Sequence, residues 1–130
     1  MKRIMLNIAV SALMLLAVDA SAAAPKKDAV SVVGVVAVPA HYEGACPAAL
    51  EFVGTLKLQK FPVTVEYLWQ RSDGSRTQVR RIQARSARQK ITDEWEIGGA
   101  PGRMEVWERL TILSPAQISS AIAEASVNCN

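Results

Sequence analysis

One histidine and two cysteines are all that this 130-residue chain offers a metal ion or an acid–base centre beyond its carboxylates. His41 stands beside Pro39 and Tyr42 in what reads as a solvated loop, and Cys46 lies in GACPA, with no CxxC spacing. The sequence has no metal-ligand cluster, nucleophile motif or glycine-rich phosphate loop. No cofactor and no metal are expected. Charge of one sign is scarce as well, since a formal net charge of +3 says little about partners. Aromatic residues make up only 5% of the chain, so each tryptophan has to be weighed singly.

A run of membrane-spanning length is also missing. Residues 4–18 are apolar but for Asn7 and Ser11, shorter than the roughly 20 residues a helical span needs. Lys2 and Arg3 precede this run, and small residues with an A-x-A pattern at Ala20 and Ala22 follow it. That is the layout of a cleaved secretory signal peptide. The expected division is a signal peptide over residues 1–22 and a single domain over residues 23–130, periplasmic or secreted, with no integral membrane anchor after cleavage. Taking 22 residues from 130 leaves 108, enough for one modest core. Losing Lys2, Arg3 and Asp19 brings the formal charge from +3 to +2.

Both cysteines, Cys46 and Cys129, fall in that domain. An even count in an oxidising compartment points to a disulfide rather than to thiol chemistry.

Along the domain the dominant period is two. Residues 30–38, VSVVGVVAV, are a β-branched run. Residues 49–58, ALEFVGTLKL, alternate around Leu50, Phe52, Gly54 and Leu56, and residues 62–70, PVTVEYLWQ, set Val63, Val65, Tyr67 and Trp69 on one face. Further strands are expected at 77–85, 89–97, 103–113 and 120–129. In the stretch 89–97 Ile91, Trp95 and Ile97 share a face, with Asp93 the odd member. The last stretch overlaps AQISSAIAEA, which also reads as a turn of helix, and its closing cysteine favours the strand. Turn signals at Gly44 to Pro47, Phe61-Pro62, Ser72-Asp73-Gly74, Gly98 to Gly102 and Ser114-Pro115 punctuate the series. About seven short strands with no helical repeat between them indicate an all-β antiparallel sandwich.

The same residues carry a resemblance. Tyr42, Gly44 and Cys46-Pro47 come first, then Phe52-Val53-Gly54-Thr55-Leu56, then V-E-Y-L-W-Q-R-S-D-G from Val65 to Gly74. Trp95, L-T-I-L-S-P from Leu110 to Pro115 and Cys129 follow in order. The series resembles a group of bacterial exported domains of immunoglobulin-like type, over nearly all the chain after about Val33. The resemblance implies an immunoglobulin-like β-sandwich used as a scaffold or binding module. The arginine-rich stretch after Gly74 departs from the pattern.

Trp69 should pack in the core, where an indole buries a large apolar area, and Trp95 should do so from the opposite sheet. Met104, Val106, Leu110 and Ile112 form an even-numbered inward set, which places Trp107 on the other face with Arg103, Glu105 and Arg109. Acid–base work could fall to Asp93, Glu94 and Glu96 around Trp95, or to Glu105 and Glu108 around Trp107. Glu94 and Glu96 alternate with Trp95 and so project to solvent, and no enzymatic activity is expected.

What remains is SRTQVRRIQARSARQK, residues 75–90, with Arg76, Arg80, Arg81, Arg85, Arg88 and Lys90 and no acid. On a strand Arg81 and Arg85 point one way and Arg80 the other. Guanidiniums pair with carboxylate or phosphate in bidentate geometry, and charges on an edge hairpin also discourage aggregation. Export and the lack of an interleaved aromatic in the stretch speak against nucleic acid as a partner. The expected molecule is a small exported, non-catalytic module that recognises a protein or an anionic cell-envelope component through Arg76, Arg80, Arg81, Arg85, Arg88 and Trp107. The alternatives are a structural envelope protein without a discrete site and a carboxylate-based hydrolase.

Overall fold

Where apolar and polar residues alternate, an extended chain buries one face and wets the other. A computed structural model describes residues 30–130; the expected signal peptide lies outside the described residues. Nine strands follow in order: β1 (Val30–Val38), β2 (His41–Gly44), β3 (Ala48–Leu58), β4 (Val63–Arg71), β5 (Arg80–Ala84), β6 (Arg88–Ile97), β7 (Gly102–Ser114), β8 (Ile118–Ser119) and β9 (Ala123–Cys129). They form two sheets, a three-stranded one in the order β1-β3-β6 and a six-stranded one in the order β2-β9-β7-β4-β5, with β8 paired to β7. All pairings are antiparallel except that of β2 with β9. Among the described residues there is no helix, so none is long and apolar enough to cross a membrane.

Two strands exceed the expectation. Residues 41–44, read as a loop, form β2, and residues 118–119 form β8. Neither is long enough to show a period. The strand expected at 77–85 pairs over only Arg80–Ala84, because its first residues stay with the preceding turn: Thr77 N donates to Trp69 O at 2.9 Å and Trp69 N to Thr77 Oγ1 at 3.0 Å. The segment 120–122, which also read as helix, leads as open chain into β9.

The inner faces meet in one core that includes Leu50, Phe52 and Leu56 of β3, Val65 and Trp69 of β4, Ile91 of β6, Leu110 and Ile112 of β7 and Val127 of β9. Trp69 is fully buried, as its register requires. Gly54 makes room for it across the sandwich: a Cβ there would come within 2.7 Å of Leu110 Cδ2 and 3.4 Å of the Trp69 ring. Trp95 is only half-buried, at 6.3 Å from Phe52 between ring centroids. Cys46 and Cys129 form a disulfide that ties the segment before β3 to the end of β9. Gly98, at φ +87°, passes directly over the bridge, where a Cβ would lie 2.7 Å from Cys129 Sγ.

Candidate functional site

Three charged residues stand on inward-facing registers: Arg71 two places after Trp69 on β4, Asp93 between Ile91 and Trp95 on β6, and Glu108 between Val106 and Leu110 on β7. The fold brings all three together. Arg71 Nε donates to Glu108 Oε1 and its Nη2 to Asp93 Oδ2, both at 2.8 Å, while Arg80 Nη1 of β5 donates to Asp93 Oδ1 at 2.9 Å. Glu108 is 0% and Asp93 3% exposed. The Arg71 guanidinium also lies 5.1 Å from the centre of the Trp95 ring, a cation–π contact.

The two acids titrate in opposite directions. Burial pushes the Glu108 carboxyl up, a hydrogen bond with Asp93 adds to the effect, and the group reaches about 8 in spite of Arg71. Burial also pushes Asp93 up, but hydrogen bonds from Glu108, Arg71 and Arg80 outweigh it and hold Asp93 below the usual carboxylate range. Glu108 Oε2 is buried with no hydrogen-bond partner among the described residues, and protonation makes the Glu108 carboxyl a donor to Asp93. The pair is therefore a carboxylic acid beside a carboxylate, the usual outcome when two acids share a dry site. Burial opposes charge on Arg71 as well, but its bonds to Asp93 and Glu108 keep it the more firmly protonated.

Behind this cluster, on the solvent face of the six-stranded sheet, lies a second arrangement. The odd-numbered residues of β7 point outward, and Trp107 sits half-buried among them. Its main chain is tied to the turn after β4, with Ser72 N donating to Trp107 O at 3.0 Å and Trp107 N to Ser72 Oγ at 3.2 Å. That turn is built by Asp73, whose Oδ1 accepts from Ser75 N and Oγ, and by Gly74 at φ +86°. Past the turn, Arg76 comes back alongside Gln70. Gln70, Arg71, Gly74, Ser75, Arg76 and Trp107 line a hollow of about 330 Å³. Arg109 is paired with Gln70 across β4 and β7, and its guanidinium lies 5.8 Å from the centre of the Trp107 ring. Arg109 Nε has no hydrogen-bond partner among the described residues. Neither Arg76 nor Arg109 forms an ion pair among the described residues.

Of the six binding residues expected from the sequence, Arg76 and Trp107 meet in this hollow, and the others disperse. Arg80 turns inward to Asp93. Arg81 pairs with Glu66 at 2.6 Å on the outer face, Arg85 donates to Gln83 Oε1 at 3.1 Å, and Arg88 opens β6 in the other sheet, opposite Lys57. Glu94 and Glu96 are exposed, as their alternation with Trp95 requires. His41, read as a solvated loop residue, lies instead on β2, with Nδ1 2.6 Å from Ser126 Oγ. Gln70 and Arg71 of the hollow were not singled out from the sequence, Arg109 was placed on the outer face with Trp107 but given no role, and Glu108 was not recognised as buried. The signal for Arg71 and Glu108 was register: each falls in step with the apolar residues of its strand.

No family model and no curated protein matches the chain. Among solved structures, the chain is similar to part of the Pseudomonas fluorescens alkylpurine DNA glycosylase AlkC bound to DNA containing an abasic site analog. The TM-score is 0.50 at 15% sequence identity, and the match covers 78% of this chain and 31% of that one. This chain therefore spans less than a third of the protein it matches, and at this identity the likeness speaks to the fold. That protein is an enzyme on DNA, and the finding corrects three expectations drawn from the sequence. The function as a module for a protein or an envelope component, the assignment as a non-enzyme and the exclusion of nucleic acid no longer stand. The exclusion rested on export and on the lack of an aromatic within residues 75–90; the fold sets Trp107, from a different strand, beside Arg76.

Proposed function

We propose that the chain is an immunoglobulin-like β-sandwich module that binds nucleic acid through the solvent face of its six-stranded sheet. The observation that carries this reading is Trp107, presented half-buried beside Arg76 and Arg109, neither of which is paired to a carboxylate among the described residues. An aromatic platform with unpaired guanidiniums is what single strands and phosphates engage. The fold likeness to part of a DNA-bound glycosylase supports the same ligand class. The immunoglobulin-like assignment is supported by the split of β1-β3-β6 against β9-β7-β4-β5 and by the parallel pairing of β2 with β9. The disulfide supports an oxidising compartment, periplasmic or extracellular, which residues 1–22 would reach as a signal peptide, leaving residues 23–130 as one domain.

Fluorescence anisotropy of labelled oligonucleotides at increasing salt tests the reading. Binding at low salt should weaken with a slope of roughly −2 in log–log form, the mark of two or three phosphate contacts. It should be lost when Arg76 and Arg109 are both changed to Ser. Absence of binding to every oligonucleotide at low salt would overturn it.

A further inference from the structure

We infer that the nucleic acid held at this face is single-stranded, with one unstacked base laid on Trp107 and the adjoining phosphates on Arg76 and Arg109. The inference rests on the nucleic-acid reading above and narrows it.

β7 is the middle strand of the path β2-β9-β7-β4-β5, so Trp107 stands in the interior of the face rather than on a projecting loop. Two main-chain hydrogen bonds to Ser72 hold it down, and it is half-buried. A side chain placed in this way cannot enter a base stack as a wedge, which is how apolar residues unstack a duplex. It can only receive a base already free of its partner. The hollow beside it is about 330 Å³, at the lower end of the range for small-ligand sites and suited to one nucleotide. Gln70 lines that hollow and supplies an amide that donates and accepts, as the edge of a base requires. Arg109 forms no ion pair among the described residues, so its charge is left for phosphate. Nearby Arg71 is engaged by Glu108 and Asp93, so Arg76 and Arg109 are the cations left for the backbone.

The test compares three probes by anisotropy at low salt: a 12-nucleotide thymidine strand, a 12-base-pair duplex, and a strand of the same length carrying abasic units. The thymidine strand should bind at least ten-fold more tightly than either of the others. Trp107→Ala should weaken it roughly ten-fold, the order expected for one base–aromatic stack, and Trp107→Phe should restore most of the loss. Trp107→Phe also guards against a simple folding defect. Equal affinity for all three probes, or indifference to Trp107→Ala, would overturn the inference and leave the broader reading standing. Failure of all three probes to bind would overturn both.

Discussion

At the scale of single residues, the clearest consequence concerns Glu108. Its carboxyl is raised in the folded protein from an ordinary 4.5 to about 8, so the folded state holds a proton that the unfolded chain releases. The stability this represents is fully present below the unfolded value and is lost as pH rises toward the folded one. Asp93 runs the other way: its folded value is depressed, so its contribution is present above the unfolded carboxylate value and disappears as pH falls through the folded one. Urea midpoints should accordingly peak in mildly acidic solution, decline as pH rises from about 4.5 and level off above about 8. Glu108→Gln keeps an oxygen for Arg71 and a donor for Asp93, so it should flatten that decline. Arg71 is the opposite case. Arg71→Met takes one of its two cations from the buried Asp93 carboxylate and the guanidinium donor from Glu108, and should cost about 3–5 kcal/mol, as breaking one side of a buried charge pair does. The same measurement on Arg71→Met with Glu108→Leu should recover part of that loss.

At the scale of strands, what could be read from the sequence was the part governed by period two. Trp69 was assigned inward and Trp107 outward from alternation alone, and both stand so. Glu108 escaped because it was grouped by chemistry with Glu105, around a tryptophan, although it keeps step with Val106 and Leu110. A charge at an inward position is tolerated only where partners arrive from other strands, and Arg71 and Asp93 are 37 and 15 residues away in sequence. The hollow at Trp107 was illegible for a similar reason, since β7, the end of β4 and the turn beyond it compose it jointly. β2 carries no alternation long enough to detect, and its place is set by pairing with β9. One strand-level feature was visible early, the glycine in the middle of β3. Gly54→Ala would press a methyl group against Leu110 and Trp69 and should cost about 1–3 kcal/mol by overpacking, seen as a lower urea midpoint with an unchanged slope.

For the whole molecule, the all-β, two-sheet class followed from alternation and turns, whereas the ligand class did not, because a sandwich hosts many unrelated activities. The even cysteine count correctly pointed to the one bridge, Cys46 to Cys129 at a separation of 83. Changing both cysteines to Ala should cost about 2–5 kcal/mol, read as a fall in thermal midpoint relative to the oxidised protein. The bridge also decides how the molecule would bear a load. Tension applied to the chain on the two sides of the bridge passes from Cys46 straight to Cys129. Strands β3 to β8 and most of β9 lie between those two residues, inside a covalent loop that such a pull does not draw open. The face carrying Trp107 would keep its shape under a stretch that unravels an unbridged sandwich, and reduction would remove that protection in a single step.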